Sequence, residues 1–107
     1  MRFFYLHSKD VPDGLFHGAQ AITVGYERVN IASELEHPPE KLLLSFSRCS
    51  KMDTFDKHIA KEICYGRLAK GKGIEIDRPA GTDIYEILTR EALKHDKQVE
   101  EAYRKRT

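Results

Sequence analysis

The segment that most constrains the fold is Leu42-Leu43-Leu44-Ser45-Phe46, which runs directly into Ser47-Arg48-Cys49-Ser50-Lys51-Met52-Asp53. An apolar run this short, bounded upstream by Pro38-Pro39 and downstream by a helix start, has the profile of a central strand. Ser50 then reads as a helix N-cap, with Asp53 three positions on, close to a capping box. Within that helix Met52, Phe55, Ile59 and Ile63 follow helical spacing and predict a buried stripe. Ala60, Cys64 and Gly66 flank the stripe with small residues suited to close approach to a sheet. Lys57 and Lys61 fall on the opposite face, and Gly71 and Gly73 end the element. A strand delivering its chain into a capped, basic, amphipathic helix is the framework on which the rest is placed.

The remaining elements follow from local chemistry. Arg2–His7, rich in Phe and Tyr, reads as a strand. Ser8–Gln20 holds Pro12, the Asp13-Gly14 turn signal and Gly18, and reads as a loop. Ala21–Tyr26 alternates small or polar with apolar residues, as a second strand does. A polar loop with Glu34, Glu36 and Pro38-Pro39 follows, and this proline pair has no place inside a sheet. Ile74–Asp77 is a short alternating strand and Pro79-Ala80-Gly81 a turn. Thr82 is expected to cap a second helix with Ile84, Leu88 and Ala92 on one face. Lys94–Gln98 offers little to bury, so a break or protrusion is expected there, with 94–107 a protruding or frayed tail. Val99, Ala102 and Tyr103 leave a small apolar patch near the end. The predicted fold is α+β, in the order β-β-β-α-β-α, with an antiparallel or mixed sheet and both helices on one face.

Length bounds the architecture to one domain over 1–107, since 107 residues supply a single core that needs no staples. No apolar run approaches the ~18–20 residues that span a bilayer, and Met1–His7 turns polar too soon for a signal peptide. Cys49 and Cys64, without CxxC spacing, suit neither a disulfide framework nor a zinc knuckle. A reduced, cytoplasmic chain is expected. Charge is uneven along it: net −3 over residues 1–40, +5 over 41–72 and −1 over 73–107. Such asymmetry marks either a solvated helix face or a surface for an anionic partner.

Candidate chemistry is sparse. Gly66-Arg67-Leu68-Ala69-Lys70-Gly71-Lys72-Gly73 has GxxxxGK spacing, but Gly73 replaces the magnesium-binding Ser or Thr. It also leads from helix to strand, the reverse of a phosphate loop, and reads better as a helix end with a glycine stop. None of His7, His17, His37, His58 and His95 has metal-ligand spacing to another His or Cys. Asp53, Asp56 and His58 read as caps and solvated charge, and Glu75 with Asp77 lacks the lysine of a nuclease (D/E)xK pattern. Cys49 precedes a helix N-terminus, where a thiol can be activated, yet His58 lies more than two turns along. No catalytic residue, metal ligand or cofactor is therefore assigned. Arg48, Lys51, Lys57, Lys61, Arg67, Lys70 and Lys72 remain, seven cations in one β-α segment, and they are the candidate partner-binding residues. Were Phe3, Phe4, Tyr5, Tyr26 and Phe46 to face outward, sheet and cations could hold single-stranded nucleic acid; a core role for most of them is the alternative.

Phe46–Lys57, then Ala60–Ile63, then Gly66-Arg67-Leu68, resembles a pattern of small uncharacterised tailed-bacteriophage proteins. There a strand F-x-x-C-S-x-x-D-x-F-x-[KR] runs into a helix ending G-R-L. The resemblance covers about 25 of the 107 residues and departs at Ala60, where many of those proteins carry Gly. It implies a phage or prophage origin; small phage accessory proteins commonly bind and redirect or inhibit a host macromolecule, including defence systems and transcription machinery, and such a role is the expectation here. Three functions are carried forward: a non-enzymatic binder of a host or phage protein, a nucleic-acid binder using the same cations, and a small metal-dependent hydrolase or nuclease. Partner identity and oligomeric state stay open.

Overall fold

The computed structural model describes residues 1–12, 14–29 and 40–105, so Asp13 and the loop holding Glu34, Glu36 and the proline pair lie outside the described residues. Four strands, β1 (Arg2–His7), β2 (Ala19–Val29), β3 (Glu40–Ser50) and β4 (Ile74–Arg78), form one antiparallel sheet in the order β1-β2-β3-β4. Helix α1 (Lys57–Ala69) connects β3 to β4, and α2 (Ile84–Lys105) follows β4. Fold class, element order and the central position of Leu42–Phe46 are as the sequence predicts. A one-turn 3-10 helix, Ser8–Asp10, interrupts the first long loop.

The helices do not share a face. Pleating sends alternate residues to opposite sides of a sheet, and the register aligns Leu6 with Ile22, Val24 with Phe46 and Tyr26 with Leu44. That set, with Leu42, packs against Ile84, Leu88 and Ala92 of α2 as the main core. The intervening residues, among them Thr23, Gly25 and Ser45, turn to α1, whose Cys64 thiol lies 3.7 Å from the Thr23 carbonyl and 3.8 Å from that of Ser45. The result is three layers, α1 on one side and α2 on the other. The alternation of Ala21–Tyr26 separates a large-residue face from a small-residue face, and both are buried.

The small-residue face sets the rotation of α1. Ala60 and Cys64 are its buried residues, and Gly25 lets them come close, since a β-carbon there would sit 3.1 Å from Cys64 Cβ. The stripe expected from periodicity is displaced. Met52 is almost wholly exposed, Ile59 is 54% and Ile63 39% exposed, and Phe55 is half-buried beneath β1 against Tyr5 and His7. A sheet surface of Thr, Gly and Ser rewards the helix side that approaches it most closely, so the small residues win over the bulky ones.

The start of α1 also moves. Ser50 ends β3, and its hydroxyl is 3.0 Å from Asp53 Oδ2 and accepts from Met52 N–H at 3.3 Å. The capping pattern is thus used in a turn, and residues 51–56 carry the chain from strand end to helix layer. Asp56 is the N-cap, accepting from the His58 and Ile59 amides. At the other end Gly71, at φ 71°, permits bonds from Lys72 N–H to the Arg67 carbonyl (2.9 Å) and from Gly71 N–H to that of Leu68 (3.1 Å). This is a Schellman stop, as expected of the glycine-rich end.

Helix α2 is capped by Asp83, whose Oδ1 accepts from Tyr85 N–H at 3.0 Å, rather than by Thr82. It runs unbroken through 94–98, where a break or protrusion was expected, and only its last turn, 101–105, is wholly exposed. Asp96 continues the buried stripe of Ile84, Leu88 and Ala92 and has no accessible surface. No helix among the described residues is long and apolar enough to cross a membrane.

Candidate binding groove

The fold divides the seven candidate cations among three environments. Arg48 points to the α2 side, where its Nε is 2.7 Å from Asp96 Oδ1 and its Nη2 donates to the His17 carbonyl at 3.1 Å. Asp96 Oδ2 accepts from the His17 amide, and Glu100 stands 3.8 Å from Arg48. Arg48 is therefore a clamp joining β3, α2 and the first loop, with its guanidinium engaged by Asp96 and His17. A buried carboxylate must be paired to be tolerated, and β3 supplies the partner from across the core.

Lys57 and Lys61 lie along the side of α1 that faces β1. Their Nζ atoms sit 4.7 Å above the Tyr5 ring and 5.4 Å above that of Phe3, and Tyr65 packs edge-on against Phe3 at 5.5 Å. Both lysines are exposed but already engaged with aromatic faces. Phe4 packs on Tyr85 of α2, while Tyr26 and Phe46 are buried. No open aromatic platform is left on these strands for stacking bases. Lys51 is exposed in the turn after β3.

Arg67, Lys70 and Lys72 gather on the far side of α1, beside β3 and the start of β4. Here a groove runs as three adjoining cavities. The first, about 330 Å³, is lined by Ser47, Arg48 and Cys49 of β3, by Phe55, Ile59 and Ile63, and by Asp53 and Asp56. The second, about 380 Å³, is lined by Ile63, Gly66, Arg67, Lys70 and Lys72. The third, about 400 Å³, adds Phe46, Ile74, Lys94, His95 and Gln98 to Arg67 and Lys72, with Glu91 as its acidic residue. Neighbouring cavities share Ile63, and then Arg67 and Lys72.

One end of the groove sets Ile59 and Ile63 beside Asp53 and Asp56, and the other end gathers the cations. Ile59, Ile63 and Ile74, three of the large exposed hydrophobic side chains, all line it. Helical spacing predicts Ile59 and Ile63 in the core, and nothing in the local pattern marks Lys94 or His95 as groove residues. His95 stacks on Phe46 with ring centroids 4.5 Å apart and planes 8° from parallel. Burial lowers its pKa from the usual 6.5, and repulsion from Arg67 and Arg48 lowers it further. Asp96 falls four positions beyond Ala92 on the buried stripe, but its partner Arg48 is distant in sequence, so the packing of α2 at this point is not readable locally.

The groups considered for catalysis do not assemble. Burial, and then the Asp53 carboxylate, push the Cys49 thiol above its ordinary 9.0, the opposite of activation. His58 pairs with Glu62 at 3.1 Å on the exposed side of α1, and Asp56 is occupied as a cap. Glu75 pairs with Lys41 at 3.3 Å across the strands. Among the described residues no three His, Cys, Asp or Glu side chains converge in a way that could hold a metal ion. No family model matches this chain, and neither a curated protein nor a solved structure matches it.

Proposed function

We propose that the chain is an accessory protein of the tailed-phage type, without catalysis of its own, that acts in the bacterial cytoplasm by binding a protein partner through the groove beside α1. The observation that carries this reading is the placement of Ile59 and Ile63, exposed and apolar, beside Arg67, Lys70 and Lys72 in adjoining cavities that share Ile63. Solvent-facing isoleucines on a helix lose free energy unless something covers them, and a cationic end gives the covering segment its direction. Occupation of the groove would let the protein modulate or inhibit a host factor stoichiometrically. Phe3 and Tyr5 already lie beneath Lys57 and Lys61, so those lysines stand outside the proposed contact.

The test is affinity capture from bacterial lysate with the intact tagged protein and two double variants, each checked for folding by circular dichroism. Ile63→Asp with Lys70→Glu is expected to lose the specific partner, and Lys57→Glu with Lys61→Glu to retain it. Equal recovery by all three proteins overturns the reading. So does recovery of nucleic acid alone, with log affinity falling by about 0.7–0.9 per phosphate contact for each tenfold rise in salt.

A further inference from the structure

Half of the fourth strand is absent. β3 spans Glu40–Ser50, but β4 pairs only with Glu40–Leu44. Among the described residues, 46–49 have no backbone partner beyond β2. The groove lies along this unpaired edge. Ser47, Arg48 and Cys49 are consecutive, so their side chains alternate between the α1 and α2 faces, yet all three line the cavity beneath Ile59 and Ile63. What three consecutive strand residues share is the strand's edge. Phe46 belongs to the α2 face and Arg67 to α1, and they line one cavity for the same reason.

We propose that the partner's segment binds here as an added strand, extended and acidic, filling the lane that β4 leaves empty. This deepens the binding reading above and rests on it. Residues 45–50 offer a lane of about 20 Å at ~3.3 Å per residue. Main-chain bonds to 46–49 would supply affinity, and side chains alternating between the two faces would supply specificity. One set would meet Ile59 and Ile63, the other Phe46, His95 and Lys94. The acidic character follows from charge. Arg67, Lys70, Lys72 and Lys94 have no side-chain hydrogen bond or ion pair among the described residues, against Glu91 alone at that end. The carboxylates at the other end, Asp53 held by Ser50 and Asp56 by the helix cap, keep their charge, so the acidic residues of the segment belong at the Arg67, Lys70 and Lys72 end. A second copy of this chain would bring two such cationic clusters together, and their repulsion disfavours edge-to-edge pairing.

A random linear peptide library panned on the intact protein tests the proposal. Enriched peptides are expected to carry Asp or Glu and to lose affinity at least about tenfold, the equivalent of ~1.4 kcal/mol, when N-methylated at alternate positions. Methylation at the intervening positions should leave binding unchanged, and backbone amides within 46–49 should become protected from hydrogen exchange. Peptides that bind regardless of N-methylation, but fail against Ile63→Asp with Lys70→Glu, overturn strand addition while the groove remains the binding site. No enrichment, or binding indifferent to that double variant, overturns both readings. A concentration-dependent dimer that protects 46–49 without peptide overturns the choice of occupant.

Discussion

Two side chains of α2 carry consequences out of proportion to their number. Asp96 is wholly buried and held by Arg48 and the His17 amide. Removing one member of such a pair strands a charge in the core. Arg48→Met is therefore expected to cost about 3–5 kcal/mol in a denaturant titration, and Arg48→Met with Asp96→Leu substantially less than Arg48→Met alone. A double variant no more stable than Arg48→Met would show that the pair is not coupled. His95 gives the second prediction. Its pKa is lowered in the folded protein, so below 6.5 the unfolded chain binds the proton more readily. Stability contributed by this group is then present above 6.5 and lost as pH falls below it. His95→Phe, which keeps a ring on Phe46, is expected to show a shallower fall in Tm between pH 7 and pH 5 than the parent protein.

For α1, the question at the scale of the element is which side is buried. Periodicity chose the bulky residues and tertiary packing chose the small ones, a rotation of about one residue, or ~100°. Ile59→Ala is therefore expected to change stability by no more than about 0.5 kcal/mol, as exposed positions do, whereas Leu88→Ala in α2 should cost about 2–5 kcal/mol. Lys57→Ala loses a cation–π contact worth ~0.5–1 kcal/mol and should match or exceed Ile59→Ala. Comparable losses from Ile59→Ala and Leu88→Ala would return Ile59 to the core and take the apolar end from the groove.

The whole molecule is a sheet covered on both faces, and α2 supplies the larger buried apolar side chains. Its last turn, 101–105, is exposed, while His95 and Asp96 are tied to β3. A chain ending at Glu100 should retain a cooperative transition near the parent Tm. One ending at Lys94 loses both ties, leaves Arg48 without its buried partner and is expected to lack a cooperative transition by calorimetry. Cooperative unfolding of the shorter chain would make the Arg48–Asp96 clamp dispensable.

Much of this architecture was legible along the chain. Strand positions, element order, the α2 stripe and the glycine stop of α1 each depend on residues within a few positions of one another, where backbone sterics, side-chain period and hydrogen-bond capping act. The tertiary structure decided what depends on distant residues. The pleat of β2 placed the two helices on opposite faces, and the small side chains of Thr23, Gly25 and Ser45 selected the side of α1 that docks. Asp96, 48 positions from Arg48, turned an apparent surface cation into a core clamp. Ser50 shows the boundary well: its pairing with Asp53 was readable, but whether that pair opened a helix or a turn depended on the gap between strand and helix layers. Charge runs and apolar stripes name the residues available, and only packing assigns each to the core, the clamp or the groove.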